Sequence, residues 1–167
     1  MSERQSVSVE RLIDAPAAQI FAVLADPSRH CEIDGSGTLV RVTSSNTPLT
    51  LGSTFSVRVR LGVAYTVKNR VLEFEENRLI AWAHWNGHRW RYELEPSDDD
   101  STLVRETFVW GTARWPRFLE LTGYDKKNVP SMEATLERLA AVVETTPPAT
   151  PDTSPDTSPD TSPNEAA

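Results

Sequence analysis

The sequence predicts an α+β fold: a curved antiparallel sheet of about seven strands, two short helices after the first strand, and one long C-terminal helix. Three observations carry this. Runs that alternate apolar and polar residues recur from Gln5 to Trp110, separated by turn-forming residues. Two cap-then-proline signals, Asp14-Ala-Pro16 and Asp26-Pro27, interrupt the first and second runs. From Lys126 to Glu144 the period changes, and Val129, Met132, Leu136, Leu139, Ala140 and Val143 recur at three- and four-residue spacing.

Gln5 to Ile13 is the first strand, with Val7, Val9, Arg11 and Ile13 on one face. Asp14 is placed to cap a helix over Ala17 to Ala25, which carries Ile20, Phe21, Val23 and Leu24. Asp26-Pro27 opens a second short helix to about Ile33, and Asp34-Gly-Ser-Gly37 ends it. Thr38 to Ser44 is a strand, followed by a loop with Pro48. Ser53 to Leu61 alternates Phe55, Val57, Val59 and Leu61 against Arg58 and Arg60. Ala64 to Glu75 sets Tyr65, Val67, Asn69 and Val71 on one face.

Leu79 to Leu94 reads as a hairpin closed by a type I′ turn at Asn86-Gly87. Ile80, Trp82 and His84 share a face, and Trp90, Tyr92 and Leu94 share one across the turn. Trp85 and His88, at the turn, read as outward. The last strand, Thr102 to Trp110, puts Val104, Glu106, Phe108 and Trp110 on one face. Residues 113–125, with Trp115, Phe118 and Tyr124, read as a lid or a broken helix.

The chain has 167 residues and a net charge of −7. Four acids and no base fall between Thr145 and Ala167, which leaves 20 acidic and 17 basic residues before it. So nearly balanced a body predicts no nucleic-acid partner and no polybasic membrane anchor. No apolar run reaches the roughly 18 residues of a membrane span, so no integral membrane association is expected. The polar N-terminus lacks a secretion signal's apolar middle, and the expectation is cytoplasmic. Cys31 is the one cysteine. It permits no intrachain disulfide and reads as a small buried hydrophobe. Residues 1–144 read as one domain. Residues 145–167, with Pro-Asp-Thr-Ser repeated three times, read as a disordered tail.

The chain resembles the START-like (SRPBCC) superfamily, in its polyketide cyclase/dehydrase and lipid-transport branch. The residues that carry the resemblance are Ile13-Asp-Ala-Pro16, Ile20-Phe-Ala-Val-Leu24, Asp26-Pro-Ser-Arg-His30 and Glu32-Ile-Asp-Gly-Ser-Gly37. Further along are Arg78-Leu-Ile-Ala-Trp82, His88-Arg-Trp-Arg-Tyr-Glu-Leu94 and Ser101-Thr-Leu-Val-Arg-Glu-Thr107. The match spans about residues 4 to 144. It implies the helix-grip fold and a cavity between sheet and long helix that takes an apolar small molecule. It brings no catalytic motif to carry over.

The expected ligand-binding residues are Trp82, His84, Trp90, Tyr92, Glu106, Phe108, Trp110, Asn69 and His30. Aromatic rings with polar tips suit a ligand wall, and they equally suit a packed core. His84 and Glu106 are catalytic candidates, since an imidazole and a carboxylate in one cavity suit acid–base work. Three readings stay open: a carrier of a small aromatic or lipid-like molecule, a cyclase/dehydratase-type lyase or isomerase, and an interaction module with a filled cavity. Without GxGxxG, P-loop, HExxH or GxSxG, neither cofactor nor metal is expected. The oligomeric state, monomer or dimer, stays open.

Overall fold

A computed structural model describes residues 5–97, 100–121 and 123–145. The predicted tail therefore lies outside the described residues, apart from Thr145. The seven strands are β1 Ser6–Ile13, β2 Leu39–Ser45, β3 Thr54–Leu61, β4 Val63–Glu75, β5 Leu79–His84, β6 Arg89–Pro96 and β7 Thr102–Val109. They form one antiparallel sheet in the order β1-β7-β6-β5-β4-β3-β2. Strands β2 to β7 follow as a meander, and β1 pairs with β7, so the first and last strands lie side by side. Register shifts between Val71 and Glu73, and twice along β2, mark irregular pairings of the kind that bend a sheet.

The crossover from β1 to β2 holds α1 Ala17–Leu24, a 3₁₀ turn Pro27–Arg29 and α2 His30–Ile33. Asp26 caps the turn, accepting from the Ser28 backbone N–H at 3.0 Å. Asp14 does not cap α1: Pro16 stands at the cap position and no side chain bonds there. The four-residue α2 buries His30 and Ile33, three apart on one face. Cys31 falls on the opposite face and is exposed, against expectation. Two helices follow the sheet: α3 Pro116–Leu121 and α4 Tyr124–Glu144. The broken-helix expectation for residues 113–125 thus meets a short helix ahead of a long one.

Helix α4 lies over the sheet in two functional halves. Its C-terminal half drives Leu136, Leu139, Ala140 and Val143 into a core shared with Ile20, Leu24, Ile80, Leu94 and Val104. Burial of such side chains supplies about 25 cal/mol per Å² of apolar surface, the main force holding helix to sheet. Its N-terminal half continues the same stripe with Asn128, Ser131 and Thr135, around Met132. There helix and sheet separate. The outer face of the sheet is laced with ion pairs, Glu73 with Arg89 and Arg91, and Glu10 with Arg105.

Candidate functional site

The separation leaves a cavity of about 400 Å³ between the concave sheet and the N-terminal half of α4. Alternation along β3 and β4 aims Phe55, Val57, Val59, Val67 and Asn69 into it, as the sequence predicts. Strand β5 adds Trp82 and His84, β6 adds Trp90 and Tyr92, and β7 adds Glu106; His30 and Asp34 close one side. Seven of the nine expected residues are therefore brought together.

Phe108 and Trp110 are not on the wall. They pack behind it with Ala113 and Met132 in a second buried cluster. Trp90 covers Phe108 with ring centroids 4.7 Å apart. Trp110 is further fixed by its indole N–H, which donates to Glu120 at 3.1 Å.

The wall is a stack of rings. His30 lies against Trp82 at 5.1 Å, Trp82 against Tyr92 at 5.3 Å, and Phe55 meets Trp82 edge-on at 5.7 Å. His30 Nε2–H donates to the Leu24 carbonyl at 2.9 Å, which fixes the ring. Burial lowers its pKa, and the bond to Leu24 and the nearby Asp26 oppose that only in part. The ring therefore serves as a neutral aromatic plate rather than as a cation.

Two polar stations break this wall. At the first, the Tyr92 hydroxyl donates to Glu106 Oε1 at 2.9 Å, and both residues are buried. Glu106 Oε2 has no hydrogen-bond partner among the described residues. Burial pushes the carboxyl up to about 8; the bond from Tyr92 pulls the other way, and the charge of Asp34 adds to the rise. At neutral pH Glu106 is thus mostly an acid with a proton to donate.

The second station is one that sequence reasoning only half found. His84 and His88 meet with ring centroids 3.6 Å apart, and His88 is buried and lines the cavity. The outward placement expected for His88 is wrong because the turn is wrong. The tight turn runs from His84 to Gly87, closed by the Gly87 N–H to the His84 carbonyl at 2.8 Å. Positive φ occurs at Gly87 and not at Asn86, so the turn is not type I′. Trp82 then pairs with Trp90 and Ala83 with Arg89, which turns His88 to the same side as His84. Burial holds both imidazoles neutral, His88 down at about 3 with His84 contributing. Asn69, opposite His84 in the sheet, completes this end, and Asn128 reaches the cavity from α4.

His84 and Glu106 do not form a bonded pair. Tyr92 pairs with both Ile80 and Glu106, and His84 lies four residues beyond Ile80. On a flat sheet that is roughly 10 Å across the strands and 13 Å along them. The two groups can address opposite ends of one molecule.

A curved antiparallel sheet gripping one long helix, with a cavity of aromatic and polar side chains between them, is the helix-grip, START-like (SRPBCC) fold. Residues 4–144 match the family described as polyketide cyclase/dehydrase and lipid transport, and the chain belongs to it. It is 42% identical over 142 residues to the uncharacterised protein Rv0088 of Mycobacterium tuberculosis, covering 82% of this chain and 62% of that protein. The chain thus spans less than two thirds of the length of that curated relative. Among solved structures, protein NE0264 of Nitrosomonas europaea superposes with a TM-score of 0.65 at 11% identity, covering 86% of this chain and 97% of that one. Norcoclaurine synthase of Thalictrum flavum, in complex with dopamine and hydroxybenzaldehyde, superposes at 0.60 and 13%, covering 84% and 86%. No helix among the described residues is long and apolar enough to cross a membrane.

Proposed function

We propose that the protein binds a small, ring-bearing, mostly apolar molecule between the sheet and α4. The observation that carries this is the 400 Å³ cavity walled by Phe55, Trp82, Trp90 and Tyr92, into which α4 presents Asn128, Ser131 and Thr135 beside the one apolar residue Met132. A helix designed only to close a core would continue its apolar stripe there. So large a space also weighs against the interaction module with a filled cavity. The same fold is found in complex with ring-bearing molecules in norcoclaurine synthase. The test is titration of the full chain with N-phenyl-1-naphthylamine, a neutral dye that brightens in apolar surroundings. Saturable one-to-one binding is expected. Ser131→Trp, which fills the space from the helix side, should weaken it about tenfold or more while the far-ultraviolet dichroism stays unchanged. Binding that survives in a folded S131W protein places the dye elsewhere and rejects this site.

A second reading, proton transfer of the cyclase/dehydratase kind, rests on Glu106. A buried acid held near neutral pKa and fixed by Tyr92 suits a proton shuttle next to a bound carbonyl compound. Its test is exchange of the α-protons of 2-tetralone in D₂O. At pH 9 Glu106, then a carboxylate, would take the α-proton and leave the enolate; after exchanging that proton with D₂O it would return a deuteron to the same carbon. Exchange is expected to be on the order of a hundredfold faster with the wild type than with Glu106→Gln. Equal rates dismiss the shuttle and leave binding as the function.

A further inference from the structure

Resting on the binding site proposed above, we infer that the cavity selects uncharged ligands bearing a hydrogen-bond acceptor, such as a ring ketone, and rejects carboxylates of the same shape. Glu106 faces the cavity with Oε1 already accepting from Tyr92 and Oε2 without a partner among the described residues. It is 2% exposed, so water does not complete it from outside the cavity. Asn128 presents a second such group: it is buried on the cavity wall and its Nδ2 has no partner among the described residues. A carboxylic O–H and an amide N–H are both donors, and their natural complement is an acceptor on the ligand.

The charges that face Glu106 argue against an anion there. Asp34 beyond α2 is an acid, and Tyr92 on β6, held protonated by burial, is a neutral donor already engaged with Glu106. Asp34 stays on the wall as an anchored acceptor, taking Ser36 N–H at 3.0 Å and Leu39 N–H at 2.8 Å. His30 donates to Leu24, and the His84–His88 pair is held neutral by burial. On α4, Lys127 stands at the exposed rim. The arginine ion pairs lie on the outer face of the sheet. A ligand carboxylate seated at Glu106 would lose its water and gain one O–H donor next to a second acid. A buried charge without a cation is far costlier than a buried ketone that accepts one or two hydrogen bonds.

The test is a matched pair on one ring system. 2-Acetonaphthone and 2-naphthoate compete against N-phenyl-1-naphthylamine on the full-length protein at pH 7. The ketone is expected to displace the dye at a concentration about tenfold lower or more. In Glu106→Leu, which removes the donor, the ketone should lose about tenfold in affinity while the dye still binds. Displacement of the dye from the wild type by naphthoate as good as by ketone overturns the inference. So does an unchanged ketone affinity in a Glu106→Leu protein that still binds the dye. Failure of the dye itself to bind the wild type rejects the binding site rather than the selectivity, which keeps the two outcomes apart.

Discussion

Gly35→Ala will cost the domain about 3 kcal/mol, the upper part of the range for forcing atoms into a filled space. Gly35 lies where the end of α2 crosses α4. A Cβ built there falls within the van der Waals shells of Ser131 O and Thr135 N, and lies 2.8 Å from Ala134 C. All three are backbone atoms of a helix, so no rotamer change relieves the contact. The approach is also bonded: Gly35 N–H donates to Thr135 Oγ1 at 3.1 Å, and Arg138 donates to the Asp34 carbonyl. Separating α2 from α4 to admit a methyl breaks both bonds and shifts His30, whose ring backs Trp82 in the cavity wall. Thermal unfolding should therefore fall by roughly 10 °C. Affinity for N-phenyl-1-naphthylamine should fall with it. Gly37→Ala is the control. Its φ is +65° with open space around it, so only backbone strain applies, about 1 kcal/mol. Equal effects at the two positions would mean that close approach to α4 is not what Gly35 provides.

Gly35 also shows what the sequence could and could not convey. Its reading as a glycine that ends a helix is a local one, and the contact that demands it comes from a helix about a hundred residues later. Features set by local period were legible: the strands, the faces Phe55-Val57-Val59 and Val67-Asn69-Val71, and the C-terminal helix. Each depends on alternation or on helical spacing, which burial enforces residue by residue. His88 was hidden by the turn. A two-residue Asn86-Gly87 loop and the observed His84–Gly87 turn differ by one position in register, and one position decides which face a side chain takes. The signal was present, because His88 stands two residues before Trp90 and alternation alone puts both on one side. Asn128, Ser131 and Thr135 were missed because the helix stripe was traced through apolar residues only. Polar residues that continue an apolar stripe mark where a helix leaves the core and covers a cavity. Phe108 and Trp110 share the alternation of Glu106, and alternation gives the face but not the depth at which a ring is covered by its neighbour Trp90.

The second large effect is expected from Glu106→Gln, and it is a change in how stability depends on pH. In the unfolded chain the carboxyl titrates near its ordinary 4.5; in the folded protein burial raises it to about 8. The folded state therefore binds the proton more tightly across that interval. The contribution of the protonated group is complete below about 4.5 and is lost as pH rises through about 8. At about 1.4 kcal/mol per pKa unit, the wild type should lose on the order of 4 kcal/mol relative to the glutamine variant over this window. The histidines act oppositely. His88, with a folded value near 3, and His30 and His84, also lowered, contribute stability above 6.5 that is lost as pH falls. They are common to both proteins and cancel in the difference. Urea midpoints at pH 5, 7 and 9 should show Glu106→Gln close to wild type at the first and clearly more stable at the last. A gap that stays constant across the three would contradict a neutral, buried acid. A side chain that destabilises the empty protein at and above neutral pH, when a glutamine of nearly the same shape would not, has its compensation outside folding. The unpartnered Oε2 on the cavity wall is where a bound acceptor would supply it, so the same acceptor should narrow the difference between the two proteins at pH 7.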